Sequence, residues 1–270
     1  MFTYATGFKH LSIKEGITAI ELLGSKHQFK VDVTDQPAQF TIQNLAVYDA
    51  VIFLHTTGNV LPLAEHRSAL QTYIHNGGGY LGIHGAADMG DMRLNWPWYT
   101  KLVGASLQGH TASYHYSDRP RQWPTYAGTL AEAPAGAEPS ALGPDAVVVT
   151  WQPAQLLAEF TRIAAIDMWN KSNVVRTDEW YGFRQNPRHN HNIHVLASLD
   201  ESSYSPAAGD MGGDHPIIWC QAYQGGRSLY TGLGHRKITW QQDGDFLQHI
   251  HAMIRLAAGV ESEQFNNACR

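Results

Sequence analysis

The stretch GGGYLGIHGAAD, from Gly77 to Asp88, decides how this chain is read. Three glycines lead into a short apolar run, which breaks at Gly82-Ile83-His84-Gly85-Ala86. A pattern G-x-nucleophile-x-G marks the sharp strand-to-helix turn that lifts a Ser or Cys above a sheet in hydrolytic enzymes. Here the central position is His84. An imidazole there offers a proton acceptor, a proton donor or a metal ligand instead of an acyl-attacking nucleophile. The plain alternative is a packed histidine bonded to neighbouring backbone. Phosphate-binding glycines follow a strand and open a helix, whereas Gly77–Gly79 precede one, so no nucleotide cofactor is expected.

Working outward, Tyr48–Leu54 is a continuous apolar run, the mark of a strand covered on both faces, and it stops at His55-Thr56-Thr57-Gly58. Apolar or aromatic residues at 63, 70, 73 and 74 predict a helix over about 63–76 that Gly77 ends. Upstream, FTYAT (2–6) reads as a first strand, Ser12 with Glu15 as a capping box for a helix over about 12–25, and FKVDV (29–33) as an alternating strand. Strand and helix alternating at short intervals predict an α/β fold, a mostly parallel sheet flanked by helices in three layers. Ligands in such sheets bind beyond the carboxyl ends of the strands, which directs attention to His10, His55 and His84.

The second half reads less regularly. Residues 127–144 are rich in Ala, Pro, Gly and Glu and read as a loop; DAVVVTW suggests a strand and QPAQLLAEFTRIAAIDMW a helix. Strands return at IHVLASLD (193–200), HPIIWCQAY (215–223) and GGRSLYTGLGH (225–235), the last two joined by a Gly-Gly turn. FLQHIHAMIRLAAG (246–259) closes as an amphipathic helix that leaves His249 and His251 on the surface. With no repeat or linker, the chain reads as one domain over 1–270 with an atypical excursion at about 111–175.

Composition narrows the function. A formal charge of −5 with scattered basic residues excludes nucleic acid as a partner, and no apolar run suits a membrane span. Two cysteines, Cys220 in mid-strand and Cys269 in a frayed C-terminus, suggest a reducing compartment, and with no leader visible the cytoplasm is expected. Neither cysteine suits thiol catalysis. Fifteen histidines are the unusual number. His235, after the last strand, stands where a Cys–His hydrolase would carry its base, so His84 and His235 form the leading pair as ligand or base, with His10 next. Asp178 and Glu179 are adjacent and point to opposite sides, one toward the site as acid/base or ligand and the other to a backbone or surface contact. Trp96, Trp98 and Tyr99 suggest a stacking wall for a pyranose, with Tyr181 adding a hydroxyl. The run His189, His191 and His194 has only a superficial look of a metal site.

These blocks together resemble the ThuA-like (trehalose utilisation) family, of the class I glutamine amidotransferase-like fold. GFKH, YDAVIFLHTTG, GGGYLGIHGAAD, WPWYTKLVGASLQGH, TDEWYGFRQNP, DESSY, GDHPIIWCQAYQGGRSLYTGLGH and IRLAAG carry the resemblance, over residues 2–110 and about 175–260. Within them His110 and His215 are further expected substrate-binding residues. The resemblance implies a carbohydrate partner, with action on 3-keto-glycosides as the suggested role. A ketone at C3 acidifies the hydrogen on C2, so acid–base chemistry by His84, His235, Glu179 and Asp178 would hydrolyse, eliminate or isomerise such a sugar. A divalent metal, Zn or similar, at His10, His84 and His235 would assist. A non-catalytic sugar-binding protein and a metal-dependent amide or ester hydrolase are the alternatives, and a homo-oligomer is left open.

Overall fold

The computed structural model describes residues 1–89, 96–110, 146–151, 173–203 and 209–260, together with residues 263, 266 and 269. The loop expected at 127–144 and the helix expected from Gln152 lie outside these. Nine strands are described: β1 (Ala50–Leu54), β2 (Gly79–Ile83), β3 (Leu107–His110), β4 (Ala146–Trp151), β5 (Asn173–Thr177), β6 (Tyr181–Phe183), β7 (His194–Leu199), β8 (His215–Tyr223) and β9 (Gly226–Thr231). The described helices are α1 (Ile13–His27), α2 (Ile42–Leu45), α3 (Ala64–His75), α4 (Pro97–Val103), α5 (Lys237–Gln242) and α6 (Gly244–Ala258).

The architecture is mixed α/β. A seven-stranded sheet runs in the order β1-β2-β9-β8-β7-β4-β5, and β3 and β6 form a separate two-stranded sheet. Strands β1, β2 and β9 are parallel, whereas β8, β7, β4 and β5 follow in antiparallel pairs. The antiparallel half arises at the β8–β9 hairpin. Its two-residue turn, Gln224-Gly225, has both residues at positive φ (48° and 97°), the conformation that reverses a chain within the right-handed strand twist. The turn is therefore one residue earlier than the expected Gly-Gly pair.

The opening glycines have packing reasons. Gly77, at φ 92°, follows the end of α3. A Cβ on Gly79 would stand 1.8 Å from the Ala257 carbonyl oxygen, so the end of α6 crosses β2 only because that position has no side chain. β2 is buried at every residue, as its apolar run demands.

Several elements differ from expectation. The first strand contracts to one residue: Phe2 bridges both Thr34 and Phe53, and the backbone then leaves to bond Thr57, so neither 2–6 nor 29–33 forms a continuous strand. Ser12 precedes α1 without capping it; its hydroxyl donates to the Gly234 carbonyl (3.4 Å) and lies 3.2 Å from His55 Nε2. Cys220 and Cys269 are joined in a disulfide and both are buried, which overturns the expectation of free thiols and removes the argument for a reducing compartment. Sequence spacing could not pair a strand with a tail 49 residues away. Among the described residues, no helix is long and apolar enough to cross a membrane.

His249 is not on the surface but fully buried, 3.1 Å from Thr231 Oγ1, because α6 turns that face onto β9. Burial lowers its pKa from 6.5 to about 3, with the charge of Arg176 adding to the effect. Between these values the unfolded chain takes up a proton that the folded protein refuses, so stability falls as pH drops below 6.5. His249→Gln is expected to flatten the acid limb by about 1 kcal/mol per pH unit between pH 6 and 4, read from urea unfolding midpoints across pH.

Candidate active site

The carboxyl ends of the three parallel strands build the site. Ile83 of β2 lies level with Leu54 of β1 and Thr231 of β9, so His55, His84 and the Gly232–His235 segment leave the sheet side by side. His55 and His84 both occupy the left-handed region, at φ 52° and 47°. That conformation is uncommon outside glycine and costs of the order of 1–3 kcal/mol, which the surroundings must hold in place. They do so here: Tyr230 donates to the His84 carbonyl (3.0 Å), and Tyr99 donates to the Ala86 carbonyl (2.9 Å) while lying 2.7 Å from the Tyr80 hydroxyl. The turn after His84 is a 3-10 segment. A Cβ on Gly85 would meet His10 Cε1, His55 Cα and Thr57 at 3.1 Å, so the glycine after His84 makes room for the neighbouring histidines.

His84 is fully buried and its Nδ1–H donates to the Gly232 carbonyl (2.8 Å). That bond makes Nδ1 the donor to the backbone and turns Nε2 toward Glu179 Oε2 at 3.2 Å and His235 Nδ1 at 3.3 Å. His235 Nδ1 is itself 3.2 Å from Glu179 Oε2. His10 completes the group: one donor atom from each of His10, His84, Glu179 and His235 lies within 4.8 Å of all the others. His10 is buried with neither ring nitrogen hydrogen-bonded, and it stacks on His55 at 4.6 Å between centroids.

The electrostatics follow from this crowding. Burial drives the His10 pKa down to about 2, and the neighbouring His84 and His235 push in the same direction, so His10 is neutral. Burial opposes ionisation of Glu179, but hydrogen bonds to His235 and His84 outweigh it and hold the carboxyl well below the usual range. Burial also opposes charge on His235, yet the Glu179 carboxylate, with Asp178 behind it, raises this imidazole. His84 Nε2, His235 Nδ1 and Glu179 Oε2 thus face one another, an arrangement satisfied by a shared proton or a cation.

Asp178 faces away from this cluster. Its carboxylate accepts from the backbone N–H groups of Glu179 (3.0 Å), Gly234 (2.7 Å) and His235 (2.9 Å), so it ties the β9 exit loop to the loop that carries Glu179. Asp178→Ala strands three backbone donors, two of them buried, and is expected to cost about 2–4 kcal/mol of stability, measurable by chemical denaturation.

The small β3–β6 sheet delivers the other side. His110 pairs in register with Tyr181, which sets its Nδ1 3.5 Å from Glu179 Oε1 with 44% of its side chain exposed. The buried Tyr181 ring lies over His84 at 4.2 Å between centroids. His215 is placed behind that wall: Nε2–H donates to the Tyr181 carbonyl (2.7 Å) and Nδ1 meets Glu201 Oε1 (2.9 Å). It is fully buried, so it supports Tyr181 and does not face a substrate.

The expected aromatic wall is not at the site. Trp96 and Tyr99 are buried and stacked on each other in the core. Trp98 donates to Gln224 Oε1 (2.6 Å) at the β8–β9 hairpin, beside the amino end of β9 and so at the opposite edge of the sheet. The periodicity of WPWY reports burial but not which end of a sheet is covered. His189, His191 and His194 lie around a 3-10 turn and the start of β7, outside the cluster. Of the supporting residues, Ser12 was read from sequence only as a helix cap, and His55 was singled out at a strand end without a role. The available signal was that His55 ends one buried strand as His84 ends the next.

The fold and site define an α/β protein of the amidotransferase-like kind whose strand-end turn carries an imidazole within a histidine–glutamate cluster. The chain belongs to the ThuA family, described as trehalose utilisation, whose model matches residues 1–257. Solved structures of similar fold include a ThuA-like protein from Bacteroides uniformis (22% identity, 94% of this chain and 89% of that one, TM-score 0.65) and another from Parabacteroides merdae (17%, 95% and 88%, 0.61). A cytoplasmic protein from Salmonella typhimurium is also similar (14%, 92% and 86%, 0.50). No curated protein matches the chain significantly.

Proposed function

We propose that the protein acts on a sugar already oxidised to a 3-keto-glycoside, with a divalent cation held by His10, His84, Glu179 and His235. The observation that carries this reading is the convergence of those four donors, with both His10 nitrogens lacking a hydrogen-bond partner. The donor set suits zinc or a similar ion. Ligands about 2.0–2.2 Å from a tetrahedral zinc stand roughly 3.3–3.6 Å apart, and His84 Nε2 stands 3.2 Å from Glu179 and 3.3 Å from His235. The Nδ1–H bond from His84 to a backbone carbonyl is the usual outer-shell support of a metal-binding imidazole. When bound, such a cation supplies Lewis-acid polarisation of a ketone oxygen.

The remaining work falls to residues at the opening. His110 is solvent-facing, and its Nδ1 is turned toward Glu179, so Nε2 is the atom placed to receive the proton from C2. The C2–H electron pair forms the C1–C2 double bond as the C1–O bond breaks, and His110 returns the proton to the departing oxygen. Water adding across that double bond completes net hydrolysis. Tyr181, backed by His215, shields the buried side of the cluster from water.

Purified protein should be assayed against 3-keto-glycosides, the parent glycosides, and simple amides and esters, each with and without chelator. Turnover confined to the keto sugars and lost with chelator is the expected result. Turnover of parent glycosides alone would sink the keto-sugar reading, and turnover of amides or esters alone would assign a metallohydrolase instead.

A further inference from the structure

With Trp96, Trp98 and Tyr99 placed elsewhere, the sugar needs another apolar surface, and we infer that Phe8 is that platform: its ring stacks against the C–H face of the pyranose that carries the ketone. This inference rests on the keto-sugar reading. Phe8 is 62% exposed. Its ring stands perpendicular to that of His10, at 5.0 Å between centroids and 84° between planes. The His10 ring in turn lies 5.3 Å from that of His235, the more open partner of the cluster. The His10 imidazole, itself one of the four donors, therefore lies between the exposed phenyl and His235, a span that a single pyranose bridges.

The ring is presented on a fixed backbone. Thr57 Oγ1–H donates to the Phe8 carbonyl (2.7 Å), and the N–H groups of Thr6 and Gly7 donate to the Thr57 carbonyl (2.9 and 3.1 Å). Gly58 closes the clamp, since at φ 73° it brings its backbone against Thr6 and Gly7 where a Cβ would stand 2.5 Å from Thr6 Oγ1. A rigidly held aromatic face loses little conformational entropy when it binds. Leu11, also exposed, follows His10 directly and extends the apolar rim. A pyranose suits such a surface because one of its faces presents C–H groups while its hydroxyls point outward to polar partners.

The test uses zinc-loaded protein and methyl 3-keto-glucopyranoside, with affinity read by titration calorimetry and zinc content by elemental analysis. Phe8→Ala is expected to weaken sugar binding about five- to tenfold with zinc content unchanged, and Phe8→Trp to restore it to within about twofold. Unchanged affinity in Phe8→Ala, while the wild type binds, overturns the platform and leaves the keto-sugar reading standing. Loss of zinc in Phe8→Ala also overturns it, by assigning Phe8 to holding His10. Failure of the wild type to bind the sugar overturns both.

Discussion

Glu179→Gln is expected to reduce zinc affinity by at least about 100-fold, more than the 10- to 100-fold that loss of a supporting outer-shell group costs. The substitution is nearly isosteric and keeps an oxygen near His84 Nε2 and His235 Nδ1, so packing is preserved. It removes the anion from a donor set whose other members are imidazoles. Competition against a chromogenic chelator gives the affinity, and elemental analysis of protein purified without a histidine tag gives the stoichiometry. Equal affinity in the two proteins would show that the cluster does not hold the ion. The companion variant His84→Ala removes the imidazole whose Nδ1–H is held by the Gly232 carbonyl, and it should behave alike.

The second large effect is on stability. The Cys220–Cys269 bond closes a loop with a sequence separation of 49 and fastens the end of the chain to the middle of β8. In the chain-entropy account a cross-link of that span is worth about 4 kcal/mol. Cys269→Ser is therefore expected to lower the melting temperature by roughly 8–16 °C for a domain of this size. Calorimetry with and without reductant checks it: the wild type should fall to the level of the variant under reductant, and the variant should not respond. Because β8 adjoins β9, whose exit loop carries His235, the oxidised bond also steadies one wall of the site.

Much of the fold was legible from local signals. Continuous apolar runs located β1 and β2, the turn at His84 was read from its glycines, and the run 246–259 predicted α6 closely. Parts of the site were equally legible, since in a parallel sheet the residue after each buried strand must emerge at one edge. That placed His84 and His235 together, and the adjacency of Asp178 and Glu179 forced their side chains apart. The failures share a cause. WPWY was read from local hydropathy, His249 from the polar face of a helix and Cys269 from its place near position 270, and none of these signals says which distant element covers a residue.

The sequence by itself determined which segments become strands and helices, and it put a histidine on the turn where related folds carry a nucleophile, because periodicity and glycine placement act over a few residues. Only the tertiary structure decided that His10 and Glu179 join His84 and His235, that Asp178 holds the backbone, and that Trp98 lies at the opposite edge of the sheet. Those outcomes depend on strand order and register, which bring residues more than 90 positions apart to within 3.2 Å, and no local pattern encodes a distance through space.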